Sequence, residues 1–113
     1  MTIIIVNEMA DVKELILDGS TWTNSDDVYS AFFLAVGAPN WHGRNFNALN
    51  DSISTGSINE VEVPYTLVIK NYDMIGWHAR KMADDFIDLI HELAGRGCPI
   101  GIRVDGSTRK VKV

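Results

Sequence analysis

Apolar and polar positions alternate in blocks along the 113 residues, and each block suggests an element. Residues 2–6 are apolar or β-branched throughout, the pattern of a strand buried on both faces or of a covered edge. Residues 7–13 are polar and break it. Residues 14–18 carry Leu15, Ile16 and Leu17 and end at the turn pair Asp18-Gly19, which predicts a second strand. Asn24 or Ser25 can cap a helix whose first turn holds Asp26 and Asp27, favourable at the positive end of the helix dipole. Tyr29, Phe32, Phe33 and Val36 follow at helical spacing, Gly37 offers a left-handed stop and Pro39 prevents continuation. A short helix from about 45 to 54 is next, with Asn45 as cap. Phe46, Leu49 and Ile53 form its apolar stripe, and Asn47, Asn50, Asp51 and Ser54 form a polar, mostly uncharged one.

The second half repeats the scheme. Residues 55–62 read as a polar loop, 64–70 as a strand, 71–76 as a loop and 78–94 as a long helix burying Met82, Phe86, Leu89, Ile90 and Leu93. Gly95 and Gly97 end that helix. Residues 98–104 predict a strand, Asp105-Gly106 a turn, and residues 109–113 an exposed edge strand in which charges alternate with valine. Strands separated by helices indicate an α/β fold with a parallel core sheet, to which the two terminal strands can add antiparallel edges. The length suits one domain spanning 1–113 and leaves no room for a second core.

Composition narrows the function classes. The apolar share of 46% is that of a globular domain, and no apolar run nears the roughly 20 residues that span a bilayer. The run at 3–6 lacks a basic leader and a small-residue cleavage site, so it does not read as a signal peptide. A single cysteine, Cys98, excludes an internal disulfide framework and a cysteine-based zinc site. The expectation is a soluble, cytoplasmic protein with no membrane association. The net charge of −5 is uneven: residues 1–98 hold fourteen acids against six Lys and Arg, whereas 99–113 carry a net +3. An acidic body argues against direct nucleic-acid binding, which needs clustered cations, and suits a basic protein partner. Moderate negative charge also serves solubility alone.

Enzyme signatures are absent: no phosphate-binding glycine loop, nucleophile elbow or paired-histidine metal helix occurs. His42, His78 and His91 are the histidines. His42 beside the Asn/Asp helix could act in RNA cleavage, but no cationic cluster accompanies it to hold a phosphate. Asp84, Asp88, His91 and Glu92 share a helical face that reads as solvated rather than metal-binding. Cys98, between Gly97 and Pro99, reads as a small buried hydrophobe. Trp22 reads as core or half-covered, whereas Trp41 and Trp77 sit in or beside loops, where tryptophans serve as interface anchors or cap a core edge.

The most informative stretch is 39–51, PNWHGRNFNALND, an aromatic loop running into the short helix. Gly43 is placed there to let the loop turn tightly. The run resembles the barstar family of ribonuclease inhibitors, whose pattern is approximately P-x-(aromatic)-(aromatic)-G-x-N-(L/F)-D-A-L-x-D. Pro39, Trp41, Gly43, Asn45, Phe46, Ala48, Leu49 and Asp51 match, and His42 matches in part. Leu17-Asp18-Gly19 and Arg96-Gly97-Cys98 agree with the family's flanks, so the resemblance covers roughly residues 13–105.

The resemblance implies a three-stranded parallel sheet covered by helices and a protein that inhibits rather than catalyses. In that family an acidic face plugs the active site of a small basic ribonuclease, and a helix aspartate replaces the RNA phosphate among its cations. Asp51 is the matching residue; Trp41 would pack on the enzyme and Asn45 would cap the helix at the interface. Glu92 falls at a further acidic contact. The expected toxin-facing set is Trp41, His42, Gly43, Arg44, Asn45, Asn47, Asn50, Asp51 and Glu92, with no catalytic residue, metal or cofactor. The expected role is a bacterial immunity protein against a ribonuclease toxin, with the oligomeric state open. Four departures weaken the match to barnase itself: Asn47, Arg44 and Arg96 stand where barstar has acids, and Asn50 where it has tryptophan. A non-inhibitory binding module of the same fold is the alternative, and a nuclease using His42 ranks behind both.

Overall fold

The structure is a computed structural model and describes residues 12–106. Three strands, β1 (Lys13–Asp18), β2 (Tyr65–Lys70) and β3 (Ile100–Val104), form one sheet in the order β1-β2-β3. All pairings are parallel, with Leu17 beside Ile69 and Tyr65 beside Ile100. Parallel neighbours need crossovers, and helices supply them. Helices α1 (Ser25–Val36) and α2 (Phe46–Thr55) lie between β1 and β2, and α3 (Trp77–Gly95) lies between β2 and β3. The expected α/β class and parallel three-stranded sheet are therefore present. The edge strands expected at 2–6 and 109–113 lie outside the described residues.

Strand bounds follow the prolines. β2 begins at Tyr65 and β3 at Ile100, just after Pro64 and Pro99, which cannot donate to a ladder. β3 is thus shorter than the 98–104 run suggested. Two single-turn 3₁₀ segments, Gly19–Thr21 and Tyr72–Met74, close the carboxyl ends of β1 and β2 where the sequence showed only loops.

The core is one layer deep between the sheet and the helices. α1 packs over β1, α3 over β3, and the two helices touch each other. Phe32 of α1 and Phe86 of α3 are both fully buried, with ring centroids 5.5 Å apart. Leu17, Leu67, Ile69 and Ile100 rise from the strands to meet them. α1 buries Val28, Phe32 and Val36, one step round from the expected stripe. Tyr29 and Phe33 are only partly buried, which leaves them free to hold the loop described below.

Start signals at α1 are reciprocal. Asn24 Oδ1 accepts from the Asp27 N–H at 3.1 Å, and Asp27 Oδ2 accepts from the N–H groups of Thr23 at 2.8 Å and Asn24 at 3.3 Å. Those donors, Thr23 foremost, hold the Asp27 carboxyl below the usual carboxylate range. Asp18 is lowered too, first by the Asn71 amide and then by the Ser20 N–H. Both groups favour the folded state when ionised. Their contribution is complete above the unfolded value of about 4 and is lost as pH falls through the lower folded values. Denaturant midpoints should therefore fall below about pH 4, and the double variant Asp18→Asn/Asp27→Asn should show a shallower fall than wild type. Equal acid slopes would remove these carboxyls from the account.

Candidate recognition site

The segment between α1 and α2 doubles back along α1. Gly37 takes the left-handed conformation (φ 66°), and its N–H bonds Leu34 while the next N–H bonds Phe33. A turn follows in which the His42 N–H donates to the Pro39 carbonyl at 3.0 Å. Trp41 sits inside that turn and is 75% exposed. His42 goes the other way: 8% exposed, its ring lies 4.5 Å from Phe33. The Phe33 ring also lies 5.3 Å from the Arg44 guanidinium, and Tyr29 connects Phe33 (6.0 Å) to Phe46 (6.5 Å). An aromatic row thus ties the loop and the first turn of α2 to α1.

Gly43 has a different role from the one expected. Its backbone is not left-handed; a Cβ there would meet Asn45 Nδ2 at 3.2 Å and Ala48 Cβ at 3.3 Å. A side chain there would need Asn45 and Ala48 to give by a few tenths of an ångström. Asn45 caps that helix as expected, its Oδ1 accepting from the Ala48 N–H at 2.8 Å. Asn45→Ala should cost about 1 kcal/mol of stability, read as a shift in urea midpoint at constant slope. An unchanged midpoint would mean that packing alone starts α2.

Trp41, His42, Gly43, Ala48, Asp51 and Ile58 line a hollow of about 180 Å³. Asp51 is exposed on α2, and among the described residues its carboxylate makes no hydrogen bond or ion pair. Other acids are engaged: Asp26 pairs with Arg44 at 2.7 Å, Asp85 with Lys81 at 3.0 Å, and Glu92 with Arg96. Asn47 is exposed on the same helix, and Asn50 accepts from the Ser54 hydroxyl at 3.1 Å. The site therefore offers one free negative charge, a bare indole and neutral amides.

Four of the nine expected residues, Trp41, His42, Gly43 and Asp51, line this hollow, and Asn45, Asn47 and Asn50 lie on or at the start of the same helix. Glu92 lines a second hollow of about 180 Å³ with Phe46, Asp85, Asp88 and Leu89. Arg44, a departure from the family pattern, has its charge matched by Asp26 eighteen residues earlier and also donates to Ser30 Oγ at 3.3 Å. Ala48 and Ile58 belong to the first hollow and were not anticipated. Ala48 was legible as an i−3 neighbour of Asp51; Ile58, beyond the helix, carried no local signal.

Other candidate chemistry does not converge. No cluster of three or more His, Cys, Asp or Glu among the described residues could hold a metal ion. Asp84, Asp88, His91 and Glu92 are solvent-exposed, as a wet helix face requires. Cys98 is half-buried, and burial pushes its thiol up, which disfavours the reactive thiolate. No described helix is long and apolar enough to cross a membrane.

Comparison with known proteins agrees with this geometry. The family described as Barstar (barnase inhibitor) matches residues 12–105, which takes in the strands and helices described above and the residues lining the Trp41 and Glu92 hollows. The Bacillus subtilis (strain 168) protein named "Putative ribonuclease inhibitor YrdF" is 31% identical over 81 residues, covering 72% of this chain and 85% of its own length. On the sheet, the loop and the extent of that match, the chain belongs to the barstar family.

Proposed function

We propose that this protein inhibits a ribonuclease by occupying its active site, as the cytoplasmic immunity partner of a bacterial ribonuclease toxin. The observation that carries the reading is the unpaired Asp51 carboxylate at the rim of the Trp41 hollow. A ribonuclease active site gathers cations around the scissile phosphate. A carboxylate presented on a rigid helix can take the phosphate's place, and its bonds to Arg, Lys or His are charge-assisted. Desolvated charge pairs of this kind couple by several kcal/mol. Trp41, three-quarters exposed, supplies an apolar anchor next to the charge. Asn45, Asn47 and Asn50 offer neutral hydrogen-bonding groups around it, and Glu92 is a second, more distant acidic contact. The net charge of −5 steers the chain toward a basic enzyme. Under this reading the chain performs no chemistry, and neither a cofactor nor RNA is needed for binding.

The barstar match and the relative's name support inhibition in general. The neutral Asn47 and Asn50 and the Glu92–Arg96 pairing favour a target less cationic than barnase. The same features motivate the second reading, a protein-binding module without inhibition. An RNA-cleavage assay separates them. Stoichiometric loss of cleavage by a barnase-type ribonuclease supports the inhibitor. Binding that leaves cleavage intact supports the module.

A further inference from the structure

His42 is a poor choice for a purely structural core position. The residue is buried, yet among the described residues Nε2 has no hydrogen-bond partner. An orphaned buried acceptor destabilises a fold. Phenylalanine would keep a ring against Phe33 with no orphaned nitrogen, but could not make the bond that the other nitrogen makes. The other nitrogen distinguishes histidine: Nδ1 lies 2.9 Å from the Gly43 carbonyl oxygen. A carbonyl can only accept, so Nδ1 is the donor in this bond.

That bond holds a particular peptide. Gly43 is pressed against Asn45 and Ala48, and its carbonyl leads directly into Arg44 and the Asn45 cap. On the other side, the His42 N–H closes the turn that exposes Trp41. One imidazole thereby joins three fixed points: the Phe33 ring on α1, the turn carrying Trp41 and the peptide that starts α2. Trp41 and Asp51 line the same hollow, so their spacing depends on this connection.

We infer that His42 is a positioning residue of the inhibitory surface, its Nδ1–H bond to Gly43 holding the Trp41 turn in register with Asp51. The role rests on the inhibitory reading of this site, and it is served at the expense of stability through the orphaned Nε2. Preorganisation of this kind improves affinity by reducing the ordering cost on binding.

Two substitutions separate positioning from packing. His42→Phe keeps the ring and removes the donor. His42→Asn keeps an N–H near the Nδ1 place and removes the ring. The Phe variant should melt at or above the wild-type temperature yet bind a barnase-type ribonuclease about tenfold more weakly, the worth of one hydrogen bond. The Asn variant should melt lower and still bind more tightly than the Phe variant. Backbone order parameters for residues 41–44, measured by NMR relaxation on the free protein, provide a readout that needs no ribonuclease. They should drop from about 0.85 toward 0.6 in the Phe variant. If wild type does not bind the barnase-type enzyme, the target is a different ribonuclease or the inhibitory reading fails, and the order parameters still test the positioning. If the Phe variant keeps wild-type order and affinity, the role assigned to His42 is overturned.

Discussion

Asp51→Ala should weaken binding to the target ribonuclease by at least about 2 kcal/mol, roughly 30-fold, with most of the loss in the dissociation rate. Removing the carboxylate leaves the enzyme's cations buried against a methyl group, and an unpaired buried charge is the expensive state. Stability should hardly change, because Asp51 is exposed and makes no hydrogen bond or ion pair among the described residues. Asp88→Ala is the matched control. It removes one exposed carboxylate, unpaired among the described residues, from the hollow that Glu92 also lines, and should mainly slow association at low salt. Equal losses from the two variants would mean that overall charge, and not a specific contact, drives binding.

Phe86→Ala should cost about 3–5 kcal/mol of folding stability. The ring is fully buried in α3 against Phe32 of α1, and those helices bury the sheet together. Truncation removes the transfer energy of the ring and leaves a void where α1 and α3 meet over the sheet. Domains of this size are stable by about 5–15 kcal/mol in total, so the variant loses a large share of its margin. Denaturant unfolding reads the loss directly. Leu34→Ala is the counterpart, since Leu34 is 86% exposed, and should stay within about 0.5 kcal/mol of wild type. A Phe86→Ala loss below about 1 kcal/mol would contradict the core described here.

Local signals specified most of the architecture. Asn24, Gly37 and Asn45 lie where helix ends need side-chain or left-handed caps, and the structure uses each in that way. The β-branched and leucine runs between the helices became the parallel strands because both crossovers are long enough to return. What stayed hidden depends on residues far apart in sequence. The Arg44–Asp26 pair spans eighteen residues and neutralises a cation that looked like a departure in the binding loop. The burial of His42 required knowing that the loop doubles back onto Phe33, a fact that no local pattern contains. Ser52 is 1% exposed and accepts from Asn59 Nδ2 at 2.7 Å; its hydroxyl places it among polar residues on any helical wheel. Trp41 and Asp51 were legible as candidates through the family pattern, whereas their common hollow required the fold.

Active-site occupancy is the central claim, and competition tests it most directly. A barnase-type ribonuclease would be titrated calorimetrically with this protein, with and without a saturating mononucleotide in the enzyme's active site. If the Asp51 surface replaces the phosphate, the nucleotide should lower the apparent affinity in proportion to its own occupancy. Added salt should lower it further. Binding of the same strength with the active site filled would contradict the account and place the contact elsewhere on the enzyme.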